Sequence, residues 1–206
     1  MRFPGRSVAM ILLMAAALAG CSLTPVVPYS PVPETSASHP TRLPVNEPGE
    51  REVVVVINGN IKMVHAGMFA GKTLFDPAGS YLSTRRSEPD WSEPRLEDYI
   101  RFQLEDGPDV KLYRFDLSPE RFEEVMARIQ EAGFTVPLFC AVRVQSVIAG
   151  VSPFEALRDS WLMHPAALAI DLDRIIASES SGRCLWPDGS SCYQEMAQPR
   201  VDTAQR

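Results

Sequence analysis

Residues 64–76 read VHAGMFAGKTLFD, two short apolar runs separated by a turn at Gly71. Glycine tolerates the backbone angles of a tight turn, so the pattern predicts two antiparallel strands, the second of them over 73–76. Neighbouring antiparallel strands lie about 4.8 Å apart, which allows His65 and Asp76 to meet on one face. A carboxylate beside an imidazole can hold the ring in one tautomer and orientation.

The residues on either side of this hairpin predict an α+β domain with a small antiparallel sheet packed against helices. Val53–Ile57 is β-branched throughout, as in a buried strand, and Asn58-Gly59 directly after it is a strong hairpin signal. Strands dominate the first half of the domain and helices the second, an order typical of α+β architecture. The other predicted elements are strands at 61–69 and 110–115, and helices at 94–105, 118–132, 140–150, 152–161 and 165–177.

The helices around residue 140 carry clear end signals. Ser118 is a good N-cap, proline follows it in the first helical position, and Gly133 provides a stop. Apolar residues recur at helical spacing after Cys140, so this cysteine is expected at the start of a helix. Ser152 and Glu155 have the spacing of a capping box, which predicts the opening of a further helix.

The first 20 residues predict a targeting segment rather than a part of the fold. Arg2 and Arg6 precede an apolar run over 8–18 that is too short to span a bilayer comfortably. The run is followed by Leu-Ala-Gly-Cys, ending at Cys21, which resembles the lipobox of bacterial lipoproteins. The resemblance implies that residues 1–20 are a lipoprotein signal peptide and that Cys21 carries a lipid anchor. Ser22 stands where aspartate signals inner-membrane retention, so the outer membrane, facing the periplasm, is the expected location. The alternative is an ordinary signal peptide with a chance cysteine.

Composition divides the rest of the chain. Residues 21–50 are rich in proline and serine without apolar periodicity, which predicts an extended linker. Residues 51–180 are long enough for one domain with a core, and 181–206 are expected to form a C-terminal turn and a frayed tail. The net charge of −6 and the absence of a basic cluster argue against nucleic-acid binding. The sequence predicts no metal and no cofactor.

The remaining cysteines suggest two further roles. Cys184 and Cys192 flank a Pro-Asp-Gly turn and are expected to form a disulfide, since the predicted compartment is oxidising. A two-cysteine metal site is the alternative, although no nearby histidine completes it. Cys140 is left without a partner at a predicted helix N-terminus. There the helix dipole and unpaired N–H groups stabilise a thiolate, and an imidazolium beside it would lower the pKa of the thiol further.

These residues together have the pattern of a nucleophile, a base and an orienting group. His65-Ala66-Gly67, followed by a strand ending in Asp76, resembles the His-x-Gly hairpin of NlpC-type papain-like peptidases. His65 precedes Cys140 by 75 residues, an order similar to that of the circularly permuted papain-like amidases. Residues 137–144, which read PLFCAVRV, match the cysteine-bearing helix of that group in place and pattern.

The resemblance implies a circularly permuted papain-like (NlpC-type) fold in an envelope-anchored cysteine hydrolase. By it Cys140 is the nucleophile, His65 the base and Asp76 the orienting residue, and peptidoglycan peptides are the natural substrates by location. The chain departs from the family at Phe139, where many members have asparagine, and at Asp76, where glutamate or histidine is common.

Other interpretations remain open. The same fold also serves lipid acyltransferases and esterases, which a long apolar pocket beside Cys140 would favour. A non-catalytic lipoprotein that binds a partner or the cell wall is the third possibility. A single strand histidine or buried cysteine is more often structural than catalytic, and Asp76 in Asp76-Pro77-Ala78-Gly79 can simply cap its own turn.

Overall fold

The computed structural model describes residues 43–60, 64–86, 93–157, 163–178 and 182–193. The predicted signal peptide, the acylation site at Cys21 and the predicted tail over 194–206 lie outside these ranges. Within the described ranges, no helix combines the length and the apolar character needed to cross a membrane.

The described residues form five strands, five α-helices and two short 3-10 turns. The elements are β1 (Glu52–Asn58), β2 (His65–Ala70), β3 (Thr73–Phe75), α1 (Ser80–Arg85), α2 (Leu96–Leu104), β4 (Val110–Asp116), α3 (Pro119–Ala132), a 3-10 turn (Pro137–Phe139), α4 (Cys140–Ile148), a 3-10 turn (Phe154–Ala156), α5 (Pro165–Ser178) and β5 (Gly182–Leu185). The strands form one antiparallel sheet in the order β3-β2-β1-β4-β5, with helices around it, which confirms the predicted α+β class.

Strand β1 lies at the centre of the sheet and is buried on both faces, which explains its unbroken apolar sequence. Val53, Val55 and Ile57 pack into a core that includes residues of α3, α4 and α5. Val54 and Val56 point the other way into a second core, formed with Leu43, α1 and α2. The candidate site described below lies at the edge of β2.

The end signals of α3 and α4 are confirmed. The Ser118 hydroxyl accepts a hydrogen bond from the Arg121 N–H at 3.5 Å, and Gly133 ends α3 with a φ of +60°. The helix after the 3-10 turn begins at Cys140, as its apolar spacing predicts. The strand predicted at 110–115 is also confirmed, and its side chains alternate, since Val110 and Leu112 enter one core while Tyr113 and Phe115 enter the other.

Asn58-Gly59 is not the two-residue turn that its sequence suggests. Asn58 pairs with His65 across the two strands, so the connection between β1 and β2 spans residues 59–64. The Asn58 amide is buried and donates to the backbone oxygen of Gln103 at 3.1 Å, while the Gly59 N–H donates to the Asp109 oxygen at 2.7 Å. Contacts with α2 and with the loop that follows it therefore replace the hairpin turn.

The helix predicted over 152–161 is wrong at its start. The chain instead makes a 3-10 turn at Phe154–Ala156 and becomes extended at Leu157, while residues 158–162 lie outside the described ranges. The Phe154 ring is fully buried against Phe115, with ring centroids 4.7 Å apart. This tertiary contact ties the turn to β4, and the local capping pattern does not decide the conformation.

The C-terminal turn contains the predicted disulfide and also a strand that the sequence did not reveal. Cys184 and Cys192 are bonded, and Cys184 belongs to β5, where it lies opposite Tyr113 of β4. The strand has four residues and begins with Gly182, so it is too short to show a clear alternating pattern.

A buried ion pair joins β1 to β4. Arg114 donates to both carboxylate oxygens of Glu52, at 2.8 and 2.6 Å, and both side chains are about 95% or more buried. Arg183 of β5 binds the same carboxylate at 2.8 Å but is itself exposed. Burial alone would raise the pKa of Glu52, but these guanidinium groups and the Gly49 N–H hold it below its usual value.

We expect Arg114→Ala to destabilise the domain strongly, because it leaves the Glu52 carboxylate buried without its main partner. Breaking a buried pair from one side costs about 3–5 kcal/mol. Arg183→Ala is the matched control, since it removes the exposed guanidinium from the same carboxylate and should cost at most about 1 kcal/mol. The free energy of unfolding in urea measures both. Equal losses in the two variants would contradict this account of the pair.

Candidate functional site

His65 and Asp76, which the sequence predicts on neighbouring strands, are brought together. His65 is the first residue of β2, and Asp76 directly follows β3. The His65 Nε2 atom lies 2.9 Å from the Asp76 Oδ1 atom, and the two residues are only 4% and 2% exposed. The tight turn at Gly71, whose φ is +54°, returns the chain so that the two strands can pair.

Asp76 also caps the turn that follows it, as the Asp76-Pro77-Ala78-Gly79 sequence suggests. Its second oxygen, Oδ2, accepts a hydrogen bond from the Tyr81 N–H at 2.9 Å. Its backbone oxygen accepts from the Gly79 N–H, also at 2.9 Å. The carboxylate is thus held between the imidazole and the first turn of α1, which fixes the direction from which it meets His65.

Cys140 lies beside His65, although 75 residues separate them in the sequence. It is the first residue of α4, is 1% exposed, and is the free cysteine of the part of the chain that the structure describes. Its thiol and the His65 imidazole lie close enough for each to shift the pKa of the other. All three residues predicted for the site therefore belong to one buried cluster.

The backbone of Ala66 adds a donor to this cluster because β3 is short. The Gly71 N–H donates to Glu52 of β1, so by the alternation of an antiparallel strand the Ala66 N–H points to the opposite edge of β2. The pairing of β3 with β2 ends at Met68 and Phe75. The Ala66 N–H is therefore outside the ladder, and it lies close enough to the sulfur of Cys140 to lower the pKa of the thiol, as does the Ala141 N–H of α4.

The thiol and the imidazole shift each other's ionisation toward an ion pair. Burial alone would raise the pKa of Cys140, but the hydrogen bond and charge of His65, with the two backbone N–H groups, bring it below its ordinary value. Burial alone would lower the pKa of His65, but Asp76 and the Cys140 thiolate raise it to about 9. A thiolate beside an imidazolium is the form of a cysteine that attacks carbonyl carbon.

Tyr99 is a residue of the site that sequence reasoning missed. A Cβ atom built on Gly67 would lie 2.1 Å from the Tyr99 hydroxyl oxygen, so this side chain fills the space that the missing side chain leaves. Gly67 shares its face of β2 with His65, because side chains alternate along a strand. The glycine of His65-Ala66-Gly67 is the available signal, but the sequence does not show which distant residue occupies its space.

The other predicted residues lie apart from the cluster or outside the described ranges. Cys184 and Cys192 are bonded to each other, which replaces the alternative of a two-cysteine metal site. Cys21 lies outside the described residues. Within those residues, no group of three or more His, Cys, Asp or Glu side chains is arranged to hold a metal ion.

Comparison of the chain with protein-family models, with curated proteins and with solved structures finds no match. The geometry and ionisation of the cluster are therefore the ground on which a function can be proposed.

Gly67→Ala is expected to destabilise the domain by about 1–3 kcal/mol, the usual cost of overpacking a core. The Tyr99 ring cannot move aside easily, because it is packed edge-on against Phe69 and Tyr81. Adding Tyr99→Phe should restore part of the loss, since it removes the atom nearest to the new methyl group. Gly49→Ala is the control, because its Cβ would lie at an ordinary 3.7 Å from Glu52. Urea unfolding measures all four proteins, and a Gly67→Ala variant as stable as wild type would contradict the close approach.

Alkylation by iodoacetamide should follow the lowered pKa of Cys140. In a Cys21→Ser background, we expect the pH midpoint of the rate to fall below the value of about 8.5 for an ordinary thiol. His65→Ala removes the hydrogen bond and the positive charge but leaves the sulfur buried, so its midpoint should rise above the ordinary value. Above about pH 9 His65 should lose its positive charge in wild type, so the thiolate then has no cation beside it.

The comparison uses the shape of each pH profile rather than the absolute rate, because burial slows access to the sulfur in both proteins. Ser146→Ala, on the exposed face of α4, is the control and should keep the wild-type midpoint. Identical midpoints in wild type and His65→Ala would show that the imidazole does not activate the thiol.

Proposed function

We propose that this protein is a cysteine hydrolase that cleaves amide bonds through an acyl-enzyme. The observation that carries the proposal is the contact of the Cys140 thiol, at the N-terminus of α4, with an imidazole that Asp76 holds at 2.9 Å. Nucleophile, base and orienting carboxylate are the three groups that such a reaction needs.

The proposed reaction begins with the Cys140 thiolate attacking the carbonyl carbon of the substrate. A carbon–sulfur bond forms, and the carbonyl oxygen becomes an oxyanion, for which the N–H groups of Ala66 and Ala141 beside the sulfur are available donors. The carbon–nitrogen bond then breaks, and the His65 imidazolium gives its proton to the departing amine. The products of this half-reaction are a free amine and an acyl group on sulfur.

The second half-reaction releases the acyl group. Neutral His65 takes a proton from water as the water oxygen attacks the thioester carbon, and collapse of the intermediate returns the thiolate and a carboxylic acid. Because Nε2 is bonded to Asp76, we assign both proton transfers to Nδ1 of His65. Asp76 orients the imidazole and stabilises the imidazolium.

A circularly permuted papain-like (NlpC-type) fold is part of the same proposal. In its support, the histidine hairpin and the aspartate precede the cysteine helix in the chain, and α4 packs against β2. Peptidoglycan peptides are the proposed substrates, because the lipobox-like sequence at Cys21 implies an anchor in the outer membrane that faces the periplasm.

A surface beside the cysteine favours a second candidate, an esterase or acyltransferase that acts on lipid. Phe134, Val136 and Leu138 are 69%, 58% and 85% exposed, and they come just before Cys140 in the chain. The ten residues over 133–142 contain no charge. A cavity of about 540 Å³ opens beside them and is lined by Ala78, Gly79, Leu82, Ser83, Arg86 and Phe134.

The exposed loop that carries this apolar surface is anchored close to Asp76. The Thr135 N–H donates to the Pro77 oxygen at 2.7 Å, so the exposed loop is tied to the residue that follows Asp76. A second cavity of about 240 Å³ reaches Asp76 and shares Leu82, Arg86 and Phe134 with the first. An acyl chain in this groove would lie next to Asp76, the proposed orienting residue.

Incubation with peptidoglycan fragments should give a mass adduct on Cys140 and free amine, with turnover lost by about 10³-fold or more in Cys140→Ala. Asp76→Asn should lower turnover by about 10²–10⁴-fold, because it no longer holds the imidazole with a charge. Ser146→Ala is the matched control on the same helix and should retain full turnover. Hydrolysis that survives in Cys140→Ala would refute the mechanism.

The same assay decides between the two substrate classes. Phospholipid vesicles replace the peptidoglycan fragments, and a Phe134→Ser, Val136→Ser, Leu138→Ser variant is compared with wild type on both. If wild type and the variant cleave the fragments at the same rate, the result supports the amidase. If the vesicles release fatty acid and the variant releases it more slowly than wild type, the result supports the lipid enzyme. A protein whose Cys140 is acylated by neither substrate would be a binding lipoprotein.

A further inference from the structure

Tyr99 is a buried aromatic residue between the two halves of the site. It lies on α2, is 0% exposed, and packs edge-on against Phe69 of β2 and Tyr81 of α1 at centroid distances of 5.8 and 5.3 Å. Phe69 is on the same face of β2 as His65 and Gly67. The ring therefore contacts both the strand that carries the histidine and the helix whose first turn holds Asp76.

The Tyr99 hydroxyl makes no hydrogen bond within the part of the chain that the structure describes. Its oxygen fills the space over Gly67, two residues from His65, and the Gln103 side chain lies near enough to lower the pKa of Tyr99. A buried hydroxyl without a partner costs stability, and phenylalanine would fill nearly the same volume without that cost. Packing alone therefore does not explain the hydroxyl.

The surroundings of Tyr99 keep its hydroxyl protonated, so that it can donate a hydrogen bond. Burial first, and then the negative charges of Asp76 and Cys140, raise the pKa of Tyr99 well above its ordinary value. The titratable groups that act on it are Asp76, Cys140 and the phenol of Tyr81. Tyr99 consequently keeps its proton over the whole pH range in which a thiolate–imidazolium pair exists.

We propose that Tyr99 is a positioning residue of the site: its phenol holds β2 and the first turn of α1 together, and its hydroxyl is a reserved donor toward the anionic groups beside His65. This inference rests on the proposed function, since it concerns the same thiolate. The hydroxyl dipole favours negative charge on that side of the cluster, and so it favours the ionised form of Cys140.

Tyr99→Phe tests the proposal, because it removes the hydroxyl and keeps the ring. We expect the variant to melt at the same temperature as wild type or higher, since a buried unpaired group is removed. We also expect the pH midpoint of Cys140 alkylation to rise by about one unit, which is about a tenfold loss of thiolate below the midpoint. Turnover of the substrate that the preceding assay identifies should fall by a similar factor at neutral pH.

Tyr113→Phe is the matched control. Tyr113 is also 0% exposed, and its hydroxyl lies beside the Asp173 carboxylate rather than beside the site. The control should leave the alkylation profile unchanged. A midpoint shift of equal size in both variants would overturn the role of Tyr99, because it would show a general response to losing a buried hydroxyl.

Two further outcomes would also overturn the proposal. An unchanged midpoint in Tyr99→Phe would mean that the residue contributes packing only. A clearly lower melting temperature would mean that the hydroxyl has a partner in the resting protein and is not held in reserve. The proposed function fails separately, since its failure appears as an ordinary thiol midpoint in the wild-type protein itself.

Discussion

Strand β3 has only three residues, and the edge of β2 that it leaves uncovered is where the functional cluster assembles. Had the ladder continued, Ala66 would have paired with Pro77, and its N–H would face a neighbouring strand. The early end instead leaves that N–H for the sulfur of Cys140 and lets Asp76 turn toward His65. One short strand thus sets where the Ala66 N–H and the Asp76 carboxylate lie.

Two buried carboxyl groups in this domain are stabilised because each has more than one hydrogen-bonding partner. Glu52 binds the guanidinium groups of Arg114 and Arg183, and Asp76 binds both an imidazole and a backbone N–H. Removing charges from water is costly, and only such multiple contacts offset that cost. In the site the same balance has a chemical result, since burial and partners together shift the pKa of Cys140 and of His65 in opposite directions.

Much of the fold was predictable because its signals are local. Val53–Ile57 is β-branched throughout, which predicts a buried strand, and Ser118 and Gly133 mark the ends of α3 through their own hydrogen-bonding and backbone preferences. The errors came where distant contacts override local preference. Asn58 bonds to α2 rather than forming a two-residue turn. Phe154 packs against Phe115, and a 3-10 turn replaces the helix that the capping pattern predicts.

The sequence by itself determined the parts of the site: a histidine and an aspartate on one hairpin, and a cysteine at the first turn of a helix. These follow from residue type and short-range geometry, which a tight turn and a helix start specify without the rest of the chain. Only the tertiary structure decided that Cys140 meets His65 across 75 residues, and that Tyr99 occupies the space over Gly67. Such contacts depend on how whole elements pack, because the sheet register and the two cores set the distances between them, and no local pattern encodes those distances.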